Sequence, residues 1–280
     1  MVLAVSLLPA MNAMAKSLTA ELPVWQVVWA RFAGHLLWML LLFAPTRGFG
    51  ILLTAHPKEM LLRSVVFFGS NAFFLSALPH VELATASAIM FTAPLIVTAL
   101  SGPLLGEKVG KWRWGAVIVG FCGAMVIVQP GSDLFNPWVA LTLGSAACFG
   151  FYQIATRKLS SRERPETLVV YTALVGAVTM TLIGPWISQM PATSGQWLML
   201  AGLGLLGGLG QFFIIKALQL GPASIISPFG YAELVSAVVF GWFVFGSFPG
   251  SNMWYGATLI IGAGLVILYR ENLRKRQRPV

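Results

Sequence analysis

Charge is what this 280-residue sequence has least of. Asp, Glu, Lys and Arg together make up 10% of it, where a soluble domain carries about a quarter. With 57% hydrophobic residues and a mean hydropathy of +0.80, that shortage excludes a water-solvated globule and makes lipid the solvent. Cysteine is scarce too. Cys122 and Cys148 both fall inside apolar runs, which excludes a disulfide framework or a cysteine metal site and leaves them as small packing residues. The three histidines, His35, His56 and His80, are too scattered to form a ligand set. No metal, cofactor or covalent chemistry is implied, and the chain does not read as an enzyme. A GxxxxGK[ST] phosphate loop is absent, so nothing supports an ATP-driven pump. Gly202 to Gly207 matches a dinucleotide fingerprint in letters only, because it lies in an apolar run with no strand before it. There Gly204 and Gly208 make a GxxxG pair suited to close helix packing.

What the chain does have is ten apolar runs, each near the roughly 20 residues that cross a bilayer as a helix. They are Val2 to Leu18, Val24 to Ala44, Met60 to Leu78, Leu83 to Leu105, Trp112 to Val128, Pro137 to Thr156, Thr167 to Ile187, Trp197 to Leu218, Ala223 to Phe245 and Met253 to Tyr269. Ala13-Met14-Ala15 resembles a signal cleavage site, but no basic residue precedes the first run, and the run has a counterpart later in the chain. It is expected to stay in the protein.

That counterpart belongs to a duplication. At a constant offset of 140, Ala77-Leu78 lies over Ala217-Leu218, Asn71 over Gln211, Phe73 over Phe213 and Gly106 over Gly246. After one inserted residue, Gly115-Ala116 falls on Gly256-Ala257. A spacing kept over several segments marks an internal repeat, with residues 1–130 as the first unit, 137–271 as the second and 272–280 as a basic tail. Each unit holds five spans. Five is odd, so the second copy enters the membrane from the opposite side, and the fold class is an all-α polytopic membrane protein of two inverted five-helix repeats.

Alternate connectors sort by charge. Arg47, Lys58, Arg63, Lys108, Lys111, Arg113, the Arg157 to Arg164 linker and the C-terminal tail fall on one side, while the opposite connectors hold no Lys or Arg. The positive-inside rule places both termini in the cytoplasm. The formal charge of +9 is thereby spent on orientation, and no nucleic-acid partner is implied. Trp25, Trp138, Trp186, Trp197 and Trp254 fall near one boundary and Trp112 and Trp114 near the other, as interfacial anchors do.

Ionisable groups within a span are functional candidates, because hydrocarbon disfavours them. Lys16 stands near a helix end and can snorkel. Lys216 is also near an end, Arg31 is about two turns deep, and Glu233 falls mid-span. Glu233 could take up and release a proton or act as a charge partner, with Arg31 and Lys216 as possible partners. Structural pairing remains the alternative. Amides and hydroxyls recur at matching places in the two copies: Asn12 with Tyr152 and Gln153, Asn71 with Gln211, and Ser87 and Thr92 with Ser227 and Tyr231. Such groups can line a pocket for a zwitterion or bind helices together. Pro94 in one copy, and Pro228 with Gly230 in the other, interrupt the fourth and ninth spans. Broken helices in equivalent halves point to a transport site, and a simple kink is the other reading.

Ten spans in two repeats, Arg31 in the second span and the LLGE of Leu104 to Glu107 resemble the drug/metabolite transporter superfamily, in its EamA-type members. The chain departs from that family's pattern in splitting its Glu-Pro pair: Ala93-Pro94 in one copy, Glu233-Leu234 in the other. The resemblance implies a secondary transporter of the bacterial inner membrane, working as a monomer on a small-molecule substrate. It favours export of amino acids, aromatic and neutral ones included. Import of riboflavin or S-adenosylmethionine, or broad drug export, is the alternative. Substrate contacts are expected from Asn12, Asn71, Tyr152, Gln153, Gln211 and Tyr231.

Overall fold

A computed structural model describes residues 2–105, 110–129, 136–160, 162–220 and 232–276. Eleven helices are seen among them. In the first repeat they are α1 (Val2–Thr19), α2 (Val24–Arg47), α3 (Pro57–Ala77), α4 (Leu83–Met90), α5 (Ala93–Leu105) and α6 (Lys111–Val128). In the second they are α7 (Pro137–Leu159), α8 (Pro165–Ile187), α9 (Ser194–Leu220), α10 (Ala232–Phe245) and α11 (Ser251–Arg276). Eight stretches are long and apolar enough to span a membrane, with Glu233–Phe245 a shorter apolar helix. Together with the 18-residue α1 they make ten spans, since α4 and α5 share one.

Local sequence explains the helix ends. α3, α7 and α8 each open on proline at the first helical position, where the missing N–H would have had no partner. Asn136 adds a cap on α7, its side chain accepting the Trp138 N–H at 2.9 Å. Gly48 closes α2 at φ 68° and Gly246 follows α10 at φ 63°, a left-handed turn that favours glycine. The fourth span breaks where Pro94 predicts: α4 ends at Met90 and α5 starts at Ala93. Proline supplies no N–H to the Met90 carbonyl one turn back. Pro228 and Gly230 lie outside the described residues. The expected tail begins inside a helix, because α11 runs through Arg276.

The inversion is visible in how copies meet. α2 packs on α8, α6 on α11 and α4 on α10, each helix against its own repeat partner. Most of the other cross-contacts come in matched sets: α1 on α9 with α7 on α3, α2 on α9 with α8 on α3, and α1 on α10 with α7 on α4 and α5. This reciprocity is what a two-fold axis generates. Direction fixes the axis in the membrane plane. Along α2, Gln26 meets Gln189, Trp29 meets Thr181, and Phe32 fills the space beside Gly176, so α2 and α8 run antiparallel. Ile127 beside Gly256 and Gly120 beside Ala263 give the same sense for α6 and α11.

Polar contacts gather on two faces. On one, Gln26 and Gln189 exchange hydrogen bonds, Glu21 accepts from Gln196, and His80 stacks on Trp138 at 4.2 Å. On the other, Arg270 lies over Trp112, Arg47 pairs with Glu166 at 3.7 Å, and Glu163 accepts from Thr54 while meeting His56 at 3.1 Å. Lys16 reaches out of α1 to the Val81 carbonyl, the snorkelling geometry expected of it.

Burial works to raise the Glu163 pKa, but donors from Thr54, His56 and the Ala55 backbone, with the His56 charge, hold it below the ordinary carboxylate value. A lowered folded-state value means the clasp stabilises above about pH 4.3, the unfolded value, and is lost as pH falls through the folded one. Glu163→Gln should therefore melt below the parent at pH 7 in detergent, and the gap should shrink on acidification to about pH 2. A gap that stays constant between those two pH values would show that the carboxylate contributes nothing.

Candidate functional site

The charged interior is built on α2, α3 and α10. Arg31 is buried on α2, and its guanidinium contacts the Met11 sulfur of α1 at 2.9 Å. Glu233, half-buried in the first turn of α10, interacts with it electrostatically across the repeat interface. The structure thus brings these two candidates together, although among the described residues the direct ion pairs are Arg47–Glu166 and His56–Glu163. Lys216 does not join them. Its ammonium sits 5.7 Å from the ring of Phe212, one turn back on α9.

Asn12 on α1 and Gln211 on α9 are buried, and neither makes a hydrogen bond within the described residues. Their helices pack in register, with Leu8 against Gly210, Met11 against Gly207 and Met14 against Gly202. Asn71 is buried too, but its amide N–H donates to Phe67 of its own helix at 2.8 Å. Gln153 is half-buried on α7. Tyr231 lies outside the described residues.

Arg63 requires a correction. The charge pattern counts it among the connector cations, yet it lies within α3 and is 1% exposed, in a cage that α7 and α8 complete. Its Nε donates to Thr156 at 2.7 Å and its Nη1 to the Leu168 carbonyl at 3.0 Å. Its Nη2 donates to Tyr152 at 2.9 Å and Thr172 at 3.0 Å, and the guanidinium lies 4.6 Å from the Tyr152 ring centre. Four donors meet neutral oxygens. A guanidinium can be buried this way because its fixed fork matches several acceptors at once. Thr156 lies four residues after Tyr152, and Thr172 four after Leu168, so each helix offers two acceptors on one face.

Next to the cage runs an aromatic wall. Phe67 is 4.5 Å from Tyr152 and 6.4 Å from Phe149, while Phe32 meets Phe67 and Phe68 edge-on at 6.0 and 5.5 Å. Sequence reasoning also missed His35. It lies one turn beyond Arg31 and is 3% exposed, with its Nε2 lacking any hydrogen-bond partner. A buried, unpaired ring nitrogen is uncommon enough to need an explanation.

Inverted repeats meeting at a polar, charged interface define a secondary transporter. The EamA-like transporter family model matches residues 1–129 and again 136–269, and the chain belongs to that family, within the drug/metabolite transporter superfamily. It is a transporter, not an enzyme. A riboflavin transporter of Vibrio cholerae is 38% identical over 68% of this chain, the match spanning 64% of that relative, just under two thirds of its length. An S-adenosylmethionine uptake transporter of Rickettsia felis is 30% identical over 93% of this chain and 88% of its own. A solved crystal structure, 19% identical, superposes with TM-score 0.68 over 99% of this chain and 98% of that one, a likeness of fold.

Proposed function

We propose that this carrier takes up a flat heteroaromatic metabolite, with riboflavin as the first candidate, by alternating access. The observation that carries the reading is the wall of Phe67, Phe149 and Tyr152 in the core, since aromatic faces bind fused rings by offset stacking. The unpaired amides of Asn12 and Gln211 suit the polar edge of such a ring. A named relative with that cargo supports it. Amino acid export, the reading the resemblance favours, gets no support from the two named relatives. S-adenosylmethionine is disfavoured by its cationic sulfonium, which would enter a core holding Arg31 and Arg63 against Glu233 alone.

The protein is taken to work as a monomer in the bacterial inner membrane. Its basic face, with both termini, is cytoplasmic, and residues 1–130 and 137–271 rock against each other. Asn71, Tyr152, Gln153 and Tyr231 complete the substrate contacts, and Glu233 with Arg31 is the coupling pair.

Counterflow in liposomes holding the purified full chain tests this. Labelled riboflavin is expected to accumulate, saturably, against a riboflavin-loaded interior. Accumulation of phenylalanine or S-adenosylmethionine with no riboflavin signal would overturn the reading.

A further inference from the structure

Of the nine acidic side chains in the sequence, Glu233 alone falls inside one of the ten apolar runs. The others lie in connectors, at helix ends or in the basic tail, and residues 221–231 bring none. Against that single carboxyl stand two buried guanidinium groups. Arg31 contacts Met11 and feels Glu233 at a distance, while Arg63 meets only neutral oxygens. Glu166, two residues before the Leu168 carbonyl that Arg63 holds, faces Arg47 at 3.7 Å. The interior therefore carries an excess of positive charge.

His35 sits between the two arginines. Arg31 from its own helix and Arg63 from α3 are its charged neighbours, α8 presents the Val169 backbone carbonyl, and α9 presents Gly204 and Gly208. At 1.5 Å per residue, Arg31 and His35 lie about 10 and 16 Å down α2 from one face, and Arg63 about 9 Å up α3 from the other. By these depths His35, with its unpaired Nε2, falls between the levels of Arg31 and Arg63 across the membrane.

We propose that the transported solute bears a carboxylate or phosphate group that moves along Arg31, His35 and Arg63. This rests on the transporter reading above and adds a charged group to the aromatic ring. A buried charge without a counter-ion is strongly disfavoured. An anionic solute supplies the missing charge each time it enters, and His35, when its Nε2 carries a proton, donates to that group at mid-depth. A net cation is rejected by the same charges.

The test uses the full chain in liposomes and two probes with one ring system: riboflavin and riboflavin 5′-phosphate. The phosphate form is expected to half-saturate counterflow at about one-tenth the concentration, an effect of one charge pair at partly screened range. Arg31→Gln and His35→Gln should erase that difference, so that each variant half-saturates at the same concentration of either flavin. Equal half-saturation for both flavins in the parent protein, or better exchange of the neutral one, overturns the proposal whether or not the variants fold. Should neither flavin exchange, aromatic carboxylic acids are compared with their methyl esters. Counterflow of the acids alone keeps the anion inference and discards the flavin reading. Counterflow of the esters, or of no acid at all, discards the anion inference.

Discussion

Gly204→Ala is expected to lower the melting temperature of the detergent-solubilised protein by several degrees and to abolish most transport. A methyl group at Gly204 would stand 2.2 Å from the Gly34 carbonyl carbon, 2.4 Å from Gly34 Cα and 2.5 Å from the His35 nitrogen. All three atoms are backbone, so no side-chain rotation relieves the clash, and α2 must move away from α9. Overpacking in a rigid contact costs about 1–3 kcal/mol, and this case belongs at the upper end. The reverse substitution is milder. A methyl at Gly34 would meet Gly204 Cα at 3.1 Å, which a shift of a few tenths of an ångström accommodates. Gly262→Ala, with nothing within 4 Å of the added carbon, is the control and should be neutral or slightly stabilising through helix propensity. If Gly204→Ala and Gly262→Ala melt together, the backbone contact between α2 and α9 is not as described.

The seam matters because it joins the two repeats. His35 follows Gly34 directly, and a methyl at Gly208 would lie 3.2 Å from its ring. A wedge at Gly204 therefore displaces the unpaired nitrogen together with the helix. The GxxxG spacing of Gly204 and Gly208 was readable from the sequence alone, and so was its meaning as a close-packing device. Which helix it receives was not readable, because that depends on α2 running parallel to α9 from the other repeat.

The same division holds across the fold. Lipid forces every backbone group to bond within its own helix, so span number, break position and inversion follow from composition, the offset of 140 and an odd count. The break before Pro94 and the antiparallel meeting of α2 with α8 express those rules directly. Side-chain partnership is different, since it joins positions that no local pattern relates. Arg63 finds its acceptors 89 to 109 residues away. A cation six residues into a span reads as one that will reach the interface. The hint that was present, paired acceptors four residues apart on α7 and α8, becomes informative only once those helices are known to flank α3. Lys216 shows the converse, a basic residue in a span whose charge rests over Phe212 on its own helix. Mid-span charge selected Arg31 and Glu233, which act on each other electrostatically without a direct ion pair among the described residues, whereas scatter among the histidines hid His35, whose neighbours Arg63, Gly204 and Gly208 are near only in space.

Arg63→Ala is expected to have the largest effect on stability of any single buried substitution in this chain, a loss of about 3 kcal/mol or more. Part of that is the void left by a large side chain that is 1% exposed, with the surrounding helices free to relax only in part. The rest is polar. Thr156 and Thr172 keep bonds to Tyr152 and Leu168 carbonyls one turn back, at 2.7 Å each, so those two hydroxyls are not orphaned. The Tyr152 hydroxyl and the Leu168 carbonyl lose a charged donor, and such bonds are worth about 1.5–3 kcal/mol. Arg63→Lys separates charge from geometry. Lysine retains the positive charge but not the planar fork that serves three directions at once, so it should recover less than half of the loss. Arg63→Met, of similar length and uncharged, removes the buried cation itself. If charge in this cage were only a burden, methionine would melt above the parent. Melting of the three variants in one detergent separates these cases: methionine between parent and alanine marks the hydrogen-bonded fork as the stabilising element, and alanine within one degree of parent removes Arg63 from the architecture of α3, α7 and α8.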